Sequence, residues 1–183
     1  MQTKLIENED DKQYRCCPLW QTRTNIVWYR GTNIENVNVL FIGEAPGKDE
    51  DLKGRPFVGR SGRLLDKWIE DAELENYAII NIVKCRPPNN RKPSQHEIKA
   101  CLPYLEGQIR DMNPRIIVAL GAVPSYVLIN KKEVVANIGK TFRSRYGPVM
   151  VFPHPAFIVR GSDVYVPIKE LKEIVEKIKQ WKE

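Results

Sequence analysis

Four short apolar runs, at 37–42, 78–83, 116–120 and 149–152, divide the chain, each bounded by Gly, Pro or Asn. Their length and β-branched content predict buried strands. Between them the apolar period changes. Leu64, Leu65, Trp68, Ile69 and Ala72 recur at helical spacing, as do Ile98, Cys101, Leu102, Leu105, Ile109 and Met112, and finally Ile168, Leu171, Ile174, Val175, Ile178 and Trp181. Ser94 and Glu97 form a capping box, in which each residue's side chain accepts the other's backbone N–H, so the second helix should begin there. Strands alternating with helices require crossovers, and right-handed crossovers cover both faces of a parallel sheet. The pattern therefore predicts an α/β chain: a three-layer α/β/α sandwich around a short, mostly parallel four-stranded sheet, with residues 1–183 as a single domain. Residues 14–27 and 30–36 read as an irregular N-terminal arm. Residues 131–147, basic and interrupted by Gly, read as a loop or hairpin.

Charge and cysteine content change this picture modestly. Lys and Arg total 29 against 23 Asp and Glu, a formal net charge of +6 that suits a polyanionic partner but is equally the mark of an ordinary solvated face. No apolar run is long enough to span a membrane, and residues 1–11 are polar and acidic rather than a signal peptide, so the expectation is a cytoplasmic chain. In a reducing compartment, four cysteines are buried thiols or metal ligands rather than two disulfides.

The candidate chemistry gathers where the strands stop. Gly43-Glu44-Ala45-Pro46-Gly47 cannot continue the first strand, which places Glu44 at a carboxyl end, where open α/β sheets bind ligands. Asn81 lies inside the apolar second strand, where an amide is costly to bury unless it finds partners. His154, held between Pro153 and Pro155, is presented on a turn after the fourth strand, and Phe57 stands on the loop after Glu44. A carboxylate, an amide, an imidazole and an aromatic face are what recognising and detaching a nucleobase requires. Taken singly, each also has a plainer reading as a loop, core or hydrogen-bonding residue.

Five ordered blocks and a later cysteine carry a likeness: GEAPGKDED at 43–51, GRPFVGRSG at 54–62, NIVKCRPPNNRKP at 81–93, Cys101, VALGA at 118–122 and HPAFIVR at 154–160. Over Cys17 to Arg160 the chain resembles the family 4 uracil-DNA glycosylases. The resemblance implies that uracil is flipped out of DNA into a pocket, with Phe57 stacking on it, Asn81 pairing with its Watson–Crick edge, and Gly43 and Ala45 completing the binding surface. Glu44 would orient or deprotonate the attacking water and oppose the positive charge on the sugar, while His154 would donate to uracil O2. Glu50 would fill the space beside C5 and exclude thymine. Ile158 would wedge into the base stack, and Arg60, Arg86 and Arg160, with Arg63, Arg91 and Lys92, would contact phosphates. The implied reaction is monofunctional hydrolysis with turnover on uracil-containing DNA. A monomer is expected, and a sliding-clamp partner stays open.

The same resemblance implies a [4Fe–4S] cluster on Cys16, Cys17, Cys85 and Cys101. The chain departs from the family pattern near its N-terminus, where two residues normally separate the cysteines. Here Tyr14 occupies the first position and Cys16 and Cys17 are adjacent, so both ligate or only one does. Ala156 stands where serine is common and Phe152-Pro153 where threonine and tyrosine are, which leaves activity on other deaminated bases open. Two other classes remain: a noncatalytic nucleic-acid-binding module, and a nucleotide hydrolase whose metal would sit on Asp49, Glu50 and Asp51.

Overall fold

The computed structural model describes residues 14–180. The acidic start, Trp181 and the side chain of Ile178, both assigned above to the closing helix, lie outside the described residues. The elements are β1 (Arg30–Gly31), β2 (Val39–Gly43), α1 (Lys48–Lys53), α2 (Arg60–Asp71), β3 (Tyr77–Asn81), α3 (Gln95–Met112), β4 (Ile116–Leu120), α4 (Ala122–Ile129), α5 (Val134–Asn137), β5 (Thr141–Ser144), β6 (Gly147–Phe152), α6 (Pro155–Val159) and α7 (Ile168–Gln180).

The strands form one sheet in the order β1-β3-β2-β4-β6-β5. Its four inner strands are mutually parallel and correspond to the four apolar runs. The expected sheet of four is widened by two antiparallel edges, β1 on β3 and β5 on β6. Neither edge has an apolar run to announce it. β1 is two residues long, and β5 is Thr-Phe-Arg-Ser with no buried position. The basic 131–147 segment thus does form a hairpin, with β5 as its outer arm.

Alternation along the inner strands divides the core in two, because successive side chains point to opposite faces. Leu40, Ile42, Ile80, Ile117 and Ala119 pack on one face with Ile98, Leu105, Ile109 and Met112 of α3 and Leu128 of α4. Val39, Phe41, Ile79, Val118 and Phe152 pack on the other with Leu65, Trp68 and Ile69 of α2 and Leu171 and Val175 of α7. Both faces are covered, as the expected three layers require.

The three periodic helices are present, and α3 begins at its capping box: Glu97 N–H to Ser94 Oγ is 3.2 Å and Ser94 N–H to Glu97 Oε2 is 2.7 Å. It stops at Asn113, whose left-handed conformation (φ 43°) ends the helix and turns its N–H back to Ile109 O. The unannounced helices are short or lack an amphipathic period. Ala122–Ile129 is apolar nearly throughout, so no face stands out along its sequence.

Candidate active site

The carboxyl ends of β2, β3, β4 and β6 open into one cleft of about 680 Å³, lined by Glu44, Phe57, Asn81, Gly121 and His154 among others. Glu44 follows β2 and His154 follows β6, with β4 between them. Two interstrand spacings, roughly 10 Å, therefore separate the backbones that carry them.

Asn81 ends β3 with its side chain almost wholly buried. Neither its Nδ2 nor its Oδ1 has a hydrogen-bond partner within the chain, although both atoms are shut away from solvent. Leaving a buried amide unpaired costs about 1–3 kcal/mol per group, so this one is held ready for something that enters the cleft. The Phe57 ring lies beside it, 5.8 Å from the His154 ring and tilted by 31°.

Glycine makes this grouping possible. A Cβ on Gly43 would lie 2.5 Å from Asn81 Oδ1 and 2.6 Å from two ring carbons of Phe57. Gly43 is therefore the floor on which the amide and the aromatic ring meet, although it does not itself line the cleft. Gly121 (φ +90°) plays the same part on the other side, since a Cβ there would come within 2.9 Å of His154 Cβ.

Phe57 is held in a strained backbone conformation (φ 54°). The guanidinium of Arg30 in β1 fixes it, donating to Pro56 O at 2.8 Å and Phe57 O at 3.1 Å and pairing with Asp66 at 2.6 Å. The short edge strand thus has a purpose at the site. No local pattern along the chain marks Arg30, because its acceptors are backbone carbonyls 26 and 27 residues away.

Desolvation shifts the two titratable groups in opposite directions. Burial raises the Glu44 carboxyl above its ordinary value, partly opposed by the positive charge of Lys92. Burial, reinforced by Arg160, lowers the His154 imidazole to about 4. His154 is also the cap of α6: its Nδ1 accepts the Ala156 backbone N–H at 3.1 Å. A neutral ring that accepts at Nδ1 carries its proton on Nε2, so at neutral pH His154 is an uncharged donor. The spacing His154-Pro155-Ala156 was visible in the sequence, but the capping bond was not.

Several expected residues sit differently from their expected roles. Glu50 lines the cleft, but its carboxylate is committed: Oε1 accepts from Val58 N–H (2.9 Å) and Gly59 N–H (3.0 Å), and Oε2 from Gly47 N–H (3.1 Å). Asp51 is buried and accepts from the backbone N–H groups of Thr24 and Asn25. Two of the three acids considered for a metal are thus tied to backbone. Ile158, the expected wedge, is half-buried against the second core, and its neighbour Phe157 is an exposed apolar side chain on the cleft. Arg160 is exposed and lines the cleft, and Arg60 is exposed at the start of α2. Arg86 is partly buried, with its Nε donating to Asn90 Oδ1 at 2.7 Å. Arg91 is engaged by both oxygens of Glu97 at 2.9 and 2.7 Å. Ala45 lines the cleft while packing against the first core. Val134, Val135 and Ile138 form an apolar lip that no motif announced.

The four cysteines, all free thiols, come together behind β3. Cys17, Cys85 and Cys101 are buried in the same core cluster, and Cys101 is close enough to influence both Cys16 and Cys17 electrostatically, as Cys85 is to Cys17. A guanidinium donor reaches this group: Arg23 Nη1 donates to Cys85 Sγ at 3.3 Å. Burial raises the Cys85 thiol, and Cys101 is raised to about 11, chiefly by its bond with Cys16, whereas that same bond lowers Cys16. Among the described residues no His, Cys, Asp or Glu group surrounds a single metal ion. Four neighbouring thiols with a guanidinium against one of them nevertheless fit a polynuclear iron–sulfur group, whose thiolate ligands take such bonds and are spread around a larger body than one ion. Tyr14, standing where the family has its first cysteine, packs edge-on against Trp28 and Tyr104 instead.

The Uracil DNA glycosylase superfamily matches residues 31–179. The type-4 uracil-DNA glycosylase of Sulfurisphaera tokodaii is 41% identical over 90% of this chain and 78% of its own length. That of Saccharolobus solfataricus is 39% identical over 96% and 84%. That of Thermotoga maritima is 39% identical over 93% and 88%. No described helix is long and apolar enough to cross a membrane.

Proposed function

The chain belongs to the uracil DNA glycosylase superfamily, and from that premise we propose how its cleft removes uracil from DNA. It is a DNA-repair hydrolase that cleaves the N-glycosidic bond. The observation that carries the residue assignment is the buried, unpaired Asn81 amide beside Phe57, in the cleft that Glu44 and His154 also line. An amide offers one donor and one acceptor face, which matches O4 and N3–H of a flipped uracil and mismatches cytosine.

In the proposed mechanism the uracil slides over Phe57 and pairs with Asn81. The C1′–N1 bond breaks and its electron pair passes to the uracil ring, with the charge resting largely on O2. His154 donates its Nε2–H there; being neutral, it stabilises the anion without first having to lose a proton to solvent. Glu44 in its carboxylate form opposes the oxocarbenium-like sugar and takes a proton from the water whose oxygen bonds to C1′. The products are uracil and an abasic site. Glu50 holds the loop of Phe57 against the start of α1 through Gly47, Val58 and Gly59, and so sets the wall beside C5. Phe157 is better placed than Ile158 to fill the vacated stack, and Arg60, Arg86 and Arg160 provide phosphate contacts around the rim.

Cys16, Cys17, Cys85 and Cys101 would hold a [4Fe–4S] cluster, which when bound supplies a rigid joint between the N-terminal arm, the turn after β3 and α3. The protein acts as a single-domain monomer.

The deciding experiment is incubation with oligonucleotides carrying uracil, thymine or hypoxanthine, in excess chelator, followed by alkaline cleavage of abasic sites. Strand breaks at uracil and not thymine are expected. Loss of all cleavage in chelator with iron retained would favour a metal-dependent nucleotide hydrolase instead.

A further inference from the structure

The peptide unit between Phe57 and Val58 is gripped at both ends by side chains of opposite charge. Its carbonyl, on Phe57, accepts from Arg30 Nη2 at 3.1 Å, and its N–H, on Val58, donates to Glu50 Oε1 at 2.9 Å. The flanking groups repeat the pattern: Pro56 O accepts from Arg30 Nε at 2.8 Å, and Gly59 N–H donates to the same Glu50 oxygen at 3.0 Å. A guanidinium thus faces the negative end of the peptide dipole and a carboxylate its positive end, which resists rotation of the plane. Rotation is what Phe57 would otherwise favour, because a left-handed φ of 54° is costly for a bulky side chain. Gly62 leaves the room this needs, since a Cβ there would fall 1.7 Å from Phe57 O.

Arg30 is itself held from two sides. Its side chain is only 12% exposed and pairs at 2.6 Å with Asp66, one helical turn beyond Gly62 in α2. In the sheet it stands opposite Ile79 of β3, the strand that ends at Asn81. The group that fixes the aromatic ring is therefore anchored to the strand that carries the amide.

We propose that Arg30 is a positioning residue for the flipped base: working against the Glu50 carboxylate across the Phe57–Val58 peptide, its guanidinium keeps the Phe57 ring in register with the Asn81 amide. This rests on the stacking reading of Phe57 given above. Glu44 and His154 follow other strands, so loss of Arg30 should weaken capture of the base and leave the pH profile of kcat unchanged.

The test compares the wild type with Arg30→Met, which keeps the stem and removes the fork, and with Arg30→Lys, which can reach one carbonyl but not both. Arg30→Met should raise the inhibition constant of free uracil about tenfold and lower kcat/KM on uracil-containing oligonucleotide by a similar factor. The carbon-13 shift of Phe57 Cα, which reports its backbone conformation, should move away from the wild-type value. Arg30→Lys should recover part of each change. Asp66→Ala, at a half-exposed helix position, covers the case in which Arg30→Met does not fold, and should give the same changes at about threefold. A Phe57 Cα shift that stays at the wild-type value in folded Arg30→Met, or in Asp66→Ala if only that variant folds, overturns the proposal. A shift that moves while inhibition by uracil does not would instead overturn the stacking reading on which it rests.

Discussion

The cleft and the cysteine pocket share the turn after β3, yet they treat polar groups in opposite ways. In the cleft, the Asn81 amide is buried with both of its polar side-chain atoms unpaired, and Phe57 is held at a strained φ. In the cysteine pocket, Cys17, Cys85 and Cys101 are buried in one core cluster and Arg23 donates to the Cys85 sulfur. A site for a visitor keeps its hydrogen-bonding capacity free and stores strain. A structural joint satisfies its groups in place. The contrast predicts that damage to the cleft is catalytic and largely silent in stability, and that damage to the joint is the reverse.

The largest effect should come from the two titratable groups. Glu44→Ala and His154→Ala should each slow single-turnover uracil release about 10²–10⁴-fold while oligonucleotide affinity, read by fluorescence anisotropy, changes little. A modest loss in either variant would remove that side chain from the proposed mechanism.

Gly43→Ala should be next, at about 10²-fold in uracil release, because the added methyl must push apart the Asn81 amide and the Phe57 ring. Its effect should exceed that of Ala45→Ser, which adds an atom at a less crowded point of the same loop.

Within the joint, Cys101→Ser should cost about 1–3 kcal/mol in denaturant unfolding, since the residue is buried in the first core. The exposed Cys16→Ser should cost less than about 0.5 kcal/mol in iron-free protein. Equal losses of iron content in both variants would show that Cys16 ligates as Cys101 does, and an equal loss in Cys17→Ser would show that both adjacent cysteines ligate.

The smallest expected effect is on stability against pH. The folded-state pKa of His154, about 4, lies below its unfolded value of 6.5, so between these the unfolded chain binds more protons and stability falls as pH drops. Glu44 acts in the opposite sense: with its pKa raised, the folded state favours its protonated form, and this contribution is lost as pH rises through the folded value. The His154 part should be about 1–2 kcal/mol, less than the full shift because the ring is partly open to solvent. His154→Gln should flatten the fall in thermal midpoint between pH 6.5 and 4.

Much of this was legible along the chain, and what was missed has physical causes. The inner strands and the three amphipathic helices were set by apolar period, which burial on a two-faced sheet demands wherever it occurs. The edges were not, because β1 and β5 are defined by pairing rather than by burial. Glu44, Asn81 and His154 stood out because strand ends and Pro-bounded turns are local features. Arg30 did not, since its carbonyl acceptors are brought to it only by folding.

The sequence alone determined the layering, the positions of the strand ends and the residue types available there, because periodicity and turn chemistry act over a few neighbours. Tertiary structure decided which of those residues are free. It tied Glu50 and Asp51 to backbone N–H groups, turned Ile158 inward and Phe157 outward, and left Asn81 unpaired. It also turned the buried Lys84 ammonium onto the Asn81 carbonyl. Hydrogen-bond satisfaction and desolvation depend on everything packed around a group, and residues far apart in the chain supply that packing.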